Sequence, residues 1–187
     1  MAEKQKQSMD GYELGRPWKG YEIRSLRESL SMDRTQFAAL CGISRRTLEA
    51  WEGEDKTVEG PAAAVLRLLW EQPQLAEYYA IPPKPFGIRI YYMFREHLCT
   101  LIDVDEVNRR VQIRNYTRKL QFRAFGAAEA PDYEDYEAFL ESRCFPRQRD
   151  KKKLILEELG IPFYDPFLIV KKTQGRMAED EFWIRMG

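Results

Sequence analysis

The sequence predicts an all-helical N-terminal domain followed by a small α+β domain with an antiparallel sheet. From Tyr21 to Tyr79 apolar residues recur at the helical period, and further along the chain they alternate with polar residues as in strands. Between the two patterns Pro82, Pro83 and Pro85 interrupt the helix, because proline lacks the backbone N–H that a helix needs. We therefore divide the chain into a flexible arm (1–19), a helical domain (20–80), a Pro-rich linker (81–86) and an α+β domain (87–187).

The composition is that of a globular protein, with 44% hydrophobic residues among 187 and charges that balance to zero. Many nucleic-acid binders are strongly basic, so in this chain any such contact must come from local clusters of charge. The three cysteines are widely spaced and His97 is the single histidine, which disfavours a disulfide framework, a metal site and a His-based catalytic triad. We expect no metal, cofactor or catalytic residue.

The chain shows no targeting or membrane signal. Its N-terminus lacks the apolar stretch of a signal peptide, and no apolar run approaches the roughly 20 residues of a membrane span. We expect a cytoplasmic protein with no membrane partner.

Short-range signals predict the first helices of the N-terminal domain. The spacing of Ile23, Leu26 and Leu30 gives the first helix one apolar stripe. Asp33 is suited to cap a second helix that ends at Leu40, because its carboxylate can accept hydrogen bonds from the N–H groups of the first turn.

A tight turn and a third helix follow. Gly42 lies just past the second helix, where the backbone often needs a positive φ that only glycine adopts cheaply. Ser44 caps the third helix, whose Leu48 and Trp51 face inward. Two short helices joined this way form the unit whose second helix enters the DNA major groove. The side chains left pointing outward are Arg45, Arg46, Thr47, Glu49 and Ala50.

This segment resembles the Xre/Cro-type helix-turn-helix family. The resemblance covers under a third of the chain and implies sequence-specific binding of double-stranded DNA by a transcriptional repressor or autoregulator. The alternative is an antitoxin whose residues 87–187 bind a toxin partner. Residues 60–69 resemble the fifth helix of HigA/MqsA-type antitoxin regulators. The main match is Phe37-Ala38-x-x-x-Gly42-Ile43-Ser44-Arg45-Arg46-Thr47-Leu48-x-x-Trp51-Glu52.

The candidate DNA contacts lie around the third helix. Ser44 and Thr47, with the N–H groups of the first turn, are candidates to hold phosphates. Arg45, Arg46 and Glu49 are candidates to read base edges, since arginine pairs with guanine and glutamate accepts from cytosine. The alternative is that the two arginines belong to the solvated face of an ordinary helical domain.

The resemblance implies further roles for four charged residues. Arg27 and Glu52 would form a structural ion pair between the first and third helices. Arg34 occupies a position that is commonly glutamine and would anchor the DNA backbone. Glu54 and Asp55 stand where related sequences are often basic, which would weaken non-specific binding.

We also expect a homodimer. Helix-turn-helix motifs usually act in pairs on palindromic sites, because one recognition helix buries too little surface for specificity. The candidates for either the domain core or a dimer contact are Leu66, Leu69, Trp70 and Leu75.

The second domain begins with strands. Alternating patterns predict strands over residues 88–94, 98–104, 111–116 and 120–125. A helix starts at Pro131 or Asp132 and stops before Pro146, and a second runs from about Arg149 to Leu159, with Gly160 as its C-cap. Residues 167–170 are too short to assign, and residues 182–184 suit another strand or a packed tail.

Residues 139–150 and 160–166 resemble a small domain of uncharacterised bacterial and phage-type proteins, which implies no established activity. Arg143, Arg147 and Arg149 near Cys144 suggest an anion site with a low-pKa thiol, although we favour a buried cysteine beside charged surface. Asp165 and the acids at 179–181 lack the paired spacing of a metal site.

Two basic clusters in the second domain either lie on phosphate or form solvated faces. We expect no enzyme; an enzyme that uses Cys144 or Asp165 is a third possibility. The clusters are Arg109, Arg110, Arg114, Arg118, Lys119 and Arg123, and Arg143, Arg147, Arg149, Lys151, Lys152 and Lys153.

Overall fold

The structure is a computed structural model that describes residues 13–53 and 56–187. The chain separates into two compact units, the first ending at Ile81 and the second spanning Pro82–Gly187. The first unit is helical and the second combines an antiparallel sheet with helices, so the predicted fold class is confirmed. Within the described residues, no helix is long and apolar enough to cross a bilayer.

Over the described residues 13–53 and 56–81, five α-helices and one two-stranded bridge build the first unit. Ile23, Phe37, Leu48 and Leu66 are fully buried and join the helices in one core. The elements are β1 (Trp18–Lys19), α1 (Gly20–Ser29), α2 (Arg34–Leu40), α3 (Arg45–Trp51), β2 (Thr57–Val58), α4 (Pro61–Glu71) and α5 (Gln74–Tyr79).

The predicted arm differs from the structure where the two can be compared. Residues 1–12 of the arm lie outside the described residues. Glu13–Gly15 form a 3-10 turn in contact with α4, and β1 pairs antiparallel with β2 through Trp18 and Val58. A two-residue bridge is too short to show a periodic pattern, so β1 and β2 could not be predicted from the sequence.

Gly20 permits the close approach of α1 to the end of α3. A Cβ atom at this position would lie 2.3 Å from the carbonyl oxygen of Gly53 and 2.7 Å from that of Trp51. Both obstacles are backbone atoms that cannot rotate away. Only glycine therefore lets these two segments touch.

The second unit contains a four-stranded antiparallel sheet in the order β5-β4-β3-β6. Cross-strand pairs Ile90–Ile102 and Tyr92–Ile184 set the register of the central strand. The strands are β3 (Ile88–Phe94), β4 (His97–Asp105), β5 (Arg110–Asn115) and β6 (Phe182–Met186). The first three predicted strands are thereby confirmed.

The predicted strand over 120–125 is wrong. Leu120–Phe122 form a 3-10 turn, and the fourth strand is β6, from the end of the chain. The turn folds back so that Phe122 packs on Phe94 and Phe182, at ring-centroid distances of 4.7 Å and 6.0 Å. The apolar residues of this segment therefore pack against the core from a turn and do not belong to a strand of the sheet.

Three helices complete the second unit, and they pack with the sheet around a core that includes Tyr136, Phe139, Ile169 and Val170. The helices are α6 (Tyr133–Ser142), α7 (Lys152–Leu159) and α8 (Pro166–Thr173). The α7 helix begins at Lys152, later than predicted, and ends at Gly160, whose φ of 68° is that of a left-handed C-cap. The short segment left unassigned by the sequence is part of α8.

Two buried arginines tie the second unit together. Arg89 of β3 faces Asp103 of β4 and donates to both its carboxylate oxygens, at 2.6 Å and 2.8 Å. Arg143, at the end of α6, donates to both oxygens of Asp180, at 2.6 Å and 3.0 Å, and to the carbonyl of Phe182. The suggested anion site at Arg143 is therefore wrong, since a structural carboxylate already occupies this guanidinium.

Candidate nucleic-acid interface

The α2-turn-α3 segment has the geometry of a helix-turn-helix. The Asp33 carboxylate accepts a hydrogen bond from the Gln36 N–H at 2.9 Å, and the Gln36 side chain accepts one from the Asp33 N–H at 3.0 Å. Gly42 adopts a φ of +67°, which turns the chain sharply between the two helices. The Ser44 hydroxyl then accepts from the Thr47 N–H at 3.0 Å and starts α3.

The α3 helix buries one side and exposes the other. Leu48 is fully buried against the core of the first unit, and Trp51 is partly buried on the same core. Arg45, Arg46 and Glu49 lie on the exposed side. The helix therefore presents the predicted base-reading side chains to solvent.

Glu52, at the end of α3, is the centre of an ion-pair network. Its carboxylate accepts from Arg27 Nε of α1 at 2.6 Å and from Arg34 Nε of α2 at 2.8 Å. Its backbone carbonyl accepts from Arg24 at 3.1 Å. Burial opposes ionisation of this carboxyl, but the hydrogen bonds from Arg27 and Arg34 outweigh burial and lower its pKa. Glu52 thus fixes α3 to both preceding helices.

Arg34 has a more constrained position than the sequence indicated. We expected it to anchor the DNA backbone, and the structure adds that its Nε is held by Glu52. Its side chain nonetheless remains 42% exposed. The network orients this guanidinium at the surface.

Arg45 and Glu49 are partners of each other. Arg45 Nε lies 2.9 Å from Glu49 Oε1, one helical turn away, and the two side chains are 64% and 45% exposed. Exposed pairs at this spacing contribute only about 0.3–0.5 kcal/mol. The pair is therefore weak enough for either side chain to exchange its partner for a base edge.

Concave surfaces flank α3 on both sides. Arg24, Arg34 and Arg45 line one of them, together with Asp33 and Thr35. The other is lined by Ser44, Arg46, Thr47, Ala50, Trp51, Lys56 and Thr57. The Ser44 and Thr47 hydroxyls also lie 2.8 Å apart at the start of the helix. Five of the six predicted DNA-binding residues, all except Glu49, therefore line one or other of these two surfaces.

Sequence reasoning missed Arg24 and Thr35 on the first of these surfaces and Lys56 on the second. Arg24 precedes Arg27 by three positions, and helical residues at this spacing share a side, so the pattern contained the signal. Lys56 is brought in by the return of the chain after α3, which no local pattern predicts. Glu54 and Asp55, expected to weaken non-specific binding, lie outside the described residues.

Several cations of the second unit are already paired. Arg109 lies over the Tyr133 ring at 4.2 Å, and Arg123 Nη1 lies 2.6 Å from a Glu129 carboxylate oxygen. Arg147 pairs with Glu141 at 2.5 Å. These contacts leave less free positive charge than the sequence clusters imply.

Cys144 and Asp165, the candidate reactive groups of the enzyme alternative, both make hydrogen bonds to the backbone of the second unit. Cys144 is buried, its thiol lies 3.2 Å from the Leu140 carbonyl oxygen, and burial raises its pKa to about 12. A low-pKa thiol at this position is therefore contradicted. Asp165 accepts a hydrogen bond from the Leu168 N–H at 2.9 Å as the N-cap of α8.

The comparisons with known proteins bear on part of the chain. Antitoxin HigA-2 of Vibrio cholerae is 39% identical to it over 59 residues, which are 32% of this chain and 57% of the antitoxin. The chain thus spans little more than half the length of that relative. No family model and no solved structure matches the chain. The similarity supports a helix-turn-helix region of the antitoxin or regulator kind, and the predicted kinship of the second unit stays a prediction.

Proposed function

We propose that the first unit binds double-stranded DNA through α2 and α3, and that the protein represses transcription, including that of its own gene. The observation that carries this proposal is the outward face of α3, where Arg45 and Arg46 are exposed while Leu48 is buried in the core. Side chains so placed on the second helix of such a motif can reach base edges in the major groove.

The charge distribution supports the same surface. The chain is neutral as a whole, whereas on the first surface beside α3 four arginines, among them Arg24 and Arg34, outnumber Glu28 and Asp33, and Arg46 and Lys56 line the second. Sequence-independent affinity for DNA comes from such local cations, which release counterions from the phosphates. The proposal therefore assigns phosphate contacts to Ser44, Thr47 and these cations.

Selection of bound DNA from a random duplex library tests the proposal. We expect the full-length chain to enrich one motif, and the double variant Arg45→Ala/Arg46→Ala to lose that selectivity. Each lost bidentate contact should cost about 1–3 kcal/mol of discrimination. Lys171→Ala/Lys172→Ala is a matched control, because it removes the same charge from the exposed last turn of α8. Equal selectivity in all three proteins would reject the assignment.

A second candidate function is that of an antitoxin. Its support is the relative discussed above, which is named as an antitoxin. In this case residues 87–187 would bind a toxin. A toxin reading frame beside the gene, whose product co-purifies with the full-length chain and loses its toxicity there, would support this function. Absence of any such neighbour would favour the regulator.

A homodimer contact remains part of the proposal. Leu66 and Leu69 are buried in the core and Leu75 packs against it, so these three candidates belong to the domain itself. Trp70 is 53% exposed, beside the exposed Leu68 of the same helix. We expect Trp70→Glu to shift the full-length chain towards the monomer in sedimentation equilibrium. An unchanged molecular mass would place any dimer contact elsewhere.

A further inference from the structure

Arg45 and Arg46 are neighbours in α3, yet the structure gives them different surroundings. Arg45 lines the concave surface that also contains Arg24 and Arg34, and Arg46 lines the surface on the other side of the helix. Arg45 Nε donates a hydrogen bond to Glu49 Oε1 at 2.9 Å, whereas Arg46 has no ion pair within the described residues. Glu49 therefore holds one of the two candidate base readers and not the other.

The contact with Glu49 leaves most of the Arg45 guanidinium available. A guanidinium carries one N–H on Nε and two on each terminal nitrogen, and Glu49 accepts only the first of these. The two terminal nitrogens form a planar fork of N–H groups, which can pair with O6 and N7 of guanine. Arg45 can therefore keep its contact with Glu49 while it contacts a guanine.

A second arginine on the same concave surface is held in the same way. Arg34 Nε donates to Glu52 Oε2 at 2.8 Å, and the Arg34 side chain stays partly exposed. Arg27, in contrast, is bound through all three of its nitrogens, by Glu52, by the Met32 carbonyl and by Glu28. The surface therefore combines an arginine that holds the fold with arginines that are fixed at Nε and have their terminal N–H groups left for a partner.

The charge of Glu49 favours a role as a partner of Arg45. An unpaired carboxylate on a face that meets DNA is repelled by the phosphates, whereas a carboxylate paired with Arg45 is neutralised. Both side chains of the pair are exposed, so the pair contributes little to the stability of the helix in water. Its interaction strengthens when DNA excludes water from it, because the local dielectric constant falls. The effect of Glu49 on Arg45 is therefore expected in the complex with DNA.

We propose that Glu49 is a positioning residue, which orients Arg45 on a guanine and does not itself read cytosine. The proposal rests on the proposed DNA binding by α3, and it names the base that Arg45 reads. An arginine that is already oriented loses less conformational freedom on binding, so Glu49 raises the preference for guanine without touching a base.

Competition between the duplex selected from the random library and duplexes changed at single positions tests this role in the full-length chain. We expect Arg45→Ala to lose about tenfold or more of the preference at one G·C position, and Glu49→Ala about threefold or more at the same position. The double variant should lose no more than Arg45→Ala alone, because Glu49 acts only through Arg45. Glu49→Gln, whose amide oxygen can still accept from Nε, should recover most of the preference.

Two controls separate positioning from a general effect. Glu71→Ala breaks a pair of the same kind, Arg67–Glu71 at 2.8 Å, on α4 outside both concave surfaces, and should leave every preference unchanged. The losses of Arg46→Ala and Glu49→Ala should add in their double variant, because the two residues form no ion pair within the described chain. Affinity for an unrelated duplex should rise in Glu49→Ala, since a negative charge is removed from the face that meets the phosphates.

Four outcomes overturn the proposal while the proposed function stands. A loss in Glu49→Ala at a different position from Arg45→Ala shows that Glu49 reads its own base. Losses that add in the Arg45→Ala/Glu49→Ala variant, or an unchanged preference in Glu49→Ala, show that the two residues act separately. An equal loss of affinity for selected and unrelated duplexes shows that Glu49 stabilises α3. A parent chain that enriches no motif rejects the proposed function, and this proposal with it.

Discussion

Neutralising Glu52 tests whether the helix-turn-helix is held by its ion-pair network. Glu52→Gln keeps the shape of the side chain but removes its charge. Arg27, whose side chain is 11% exposed, would then keep only the longer contact with the exposed Glu28, at 3.3 Å, whereas the 42% exposed Arg34 can turn into water. Breaking a fully buried pair costs about 3–5 kcal/mol, so we expect a loss of about 2–4 kcal/mol here.

Glu28 provides a matched control for this experiment. It also pairs with Arg27, at 3.3 Å, but its side chain is 61% exposed. Because exposed pairs contribute about 0–1 kcal/mol, Glu28→Gln should lower the free energy of unfolding by less than 1 kcal/mol. The comparison keeps Arg27 and the chemical change constant, and it contrasts a buried glutamate that holds two arginines with an exposed one that holds a single arginine.

The assay is guanidinium unfolding followed by tryptophan fluorescence in a Trp183→Phe background. Of the four tryptophans, Trp18, Trp51 and Trp70 then remain, all in the first unit. Equal losses for the two glutamate variants, or a loss below 1 kcal/mol for Glu52→Gln, would refute the view that the buried network fixes α3.

The pH dependence of the unfolding free energy is an independent test of the role of Glu52. The pKa of Glu52 is lowered from its ordinary value of 4.5, so the folded state holds this carboxylate charged more readily than the unfolded chain does. The contribution of Glu52 to stability is therefore present above pH 4.5 and is lost as the pH falls through the lowered value. In Glu52→Gln the unfolding free energy of the first unit should depend less on pH in this acid range.

Three further predictions concern both units. Gly20→Ala should destabilise the first unit by about 2 kcal/mol or more in denaturant unfolding, because its Cβ would meet backbone carbonyls. Gly15→Ala, with open space around the added Cβ, should change the free energy of unfolding little. Asp180→Asn should lower the free energy of unfolding of the second unit by about 2–3 kcal/mol, because the buried Arg143 loses its counter-charge. The hydrogen bond from Arg143 lowers the pKa of Asp180, so this stabilisation is present above the ordinary value of 3.8 and is lost in acid below it. Cys144, whose pKa is raised to about 12, should resist iodoacetamide at pH 8 in the native protein and react after unfolding; rapid native labelling would contradict its burial.

The sequence predicted the helix-turn-helix well because its signals are local. Asp33 and Ser44 cap helices that begin one residue later, and Gly42 marks a turn whose positive φ other residues adopt only with strain. Each signal lies within four residues of the feature that it specifies. The positions of Arg45 and Arg46 on the exposed side of α3 followed from helical spacing alone.

The second unit was less predictable because its decisive contacts are distant in sequence. Besides β4, strand β3 pairs with β6, which places Ile90 beside Met186, and no local pattern distinguishes β6 from the segment at 120–125. The same holds for its buried charges. Arg143 looks like a surface residue in the sequence, and only the arrival of Asp180, 37 positions later, makes its burial possible.

The contacts of the arginines explain how a neutral chain can expose cations beside α3, as the proposed DNA binding requires. The Glu52 side chain is 1% exposed and lies beneath the surface. From there its carboxylate orients Arg27 and Arg34. The acid is thus shielded by the cations that it holds, while Arg34 remains partly at the surface. Net charge counts both signs equally, but a phosphate meets first the groups that are exposed. For this reason composition alone is a poor guide to the function of the first unit, and the burial of one glutamate matters more than the balance of sixty charges.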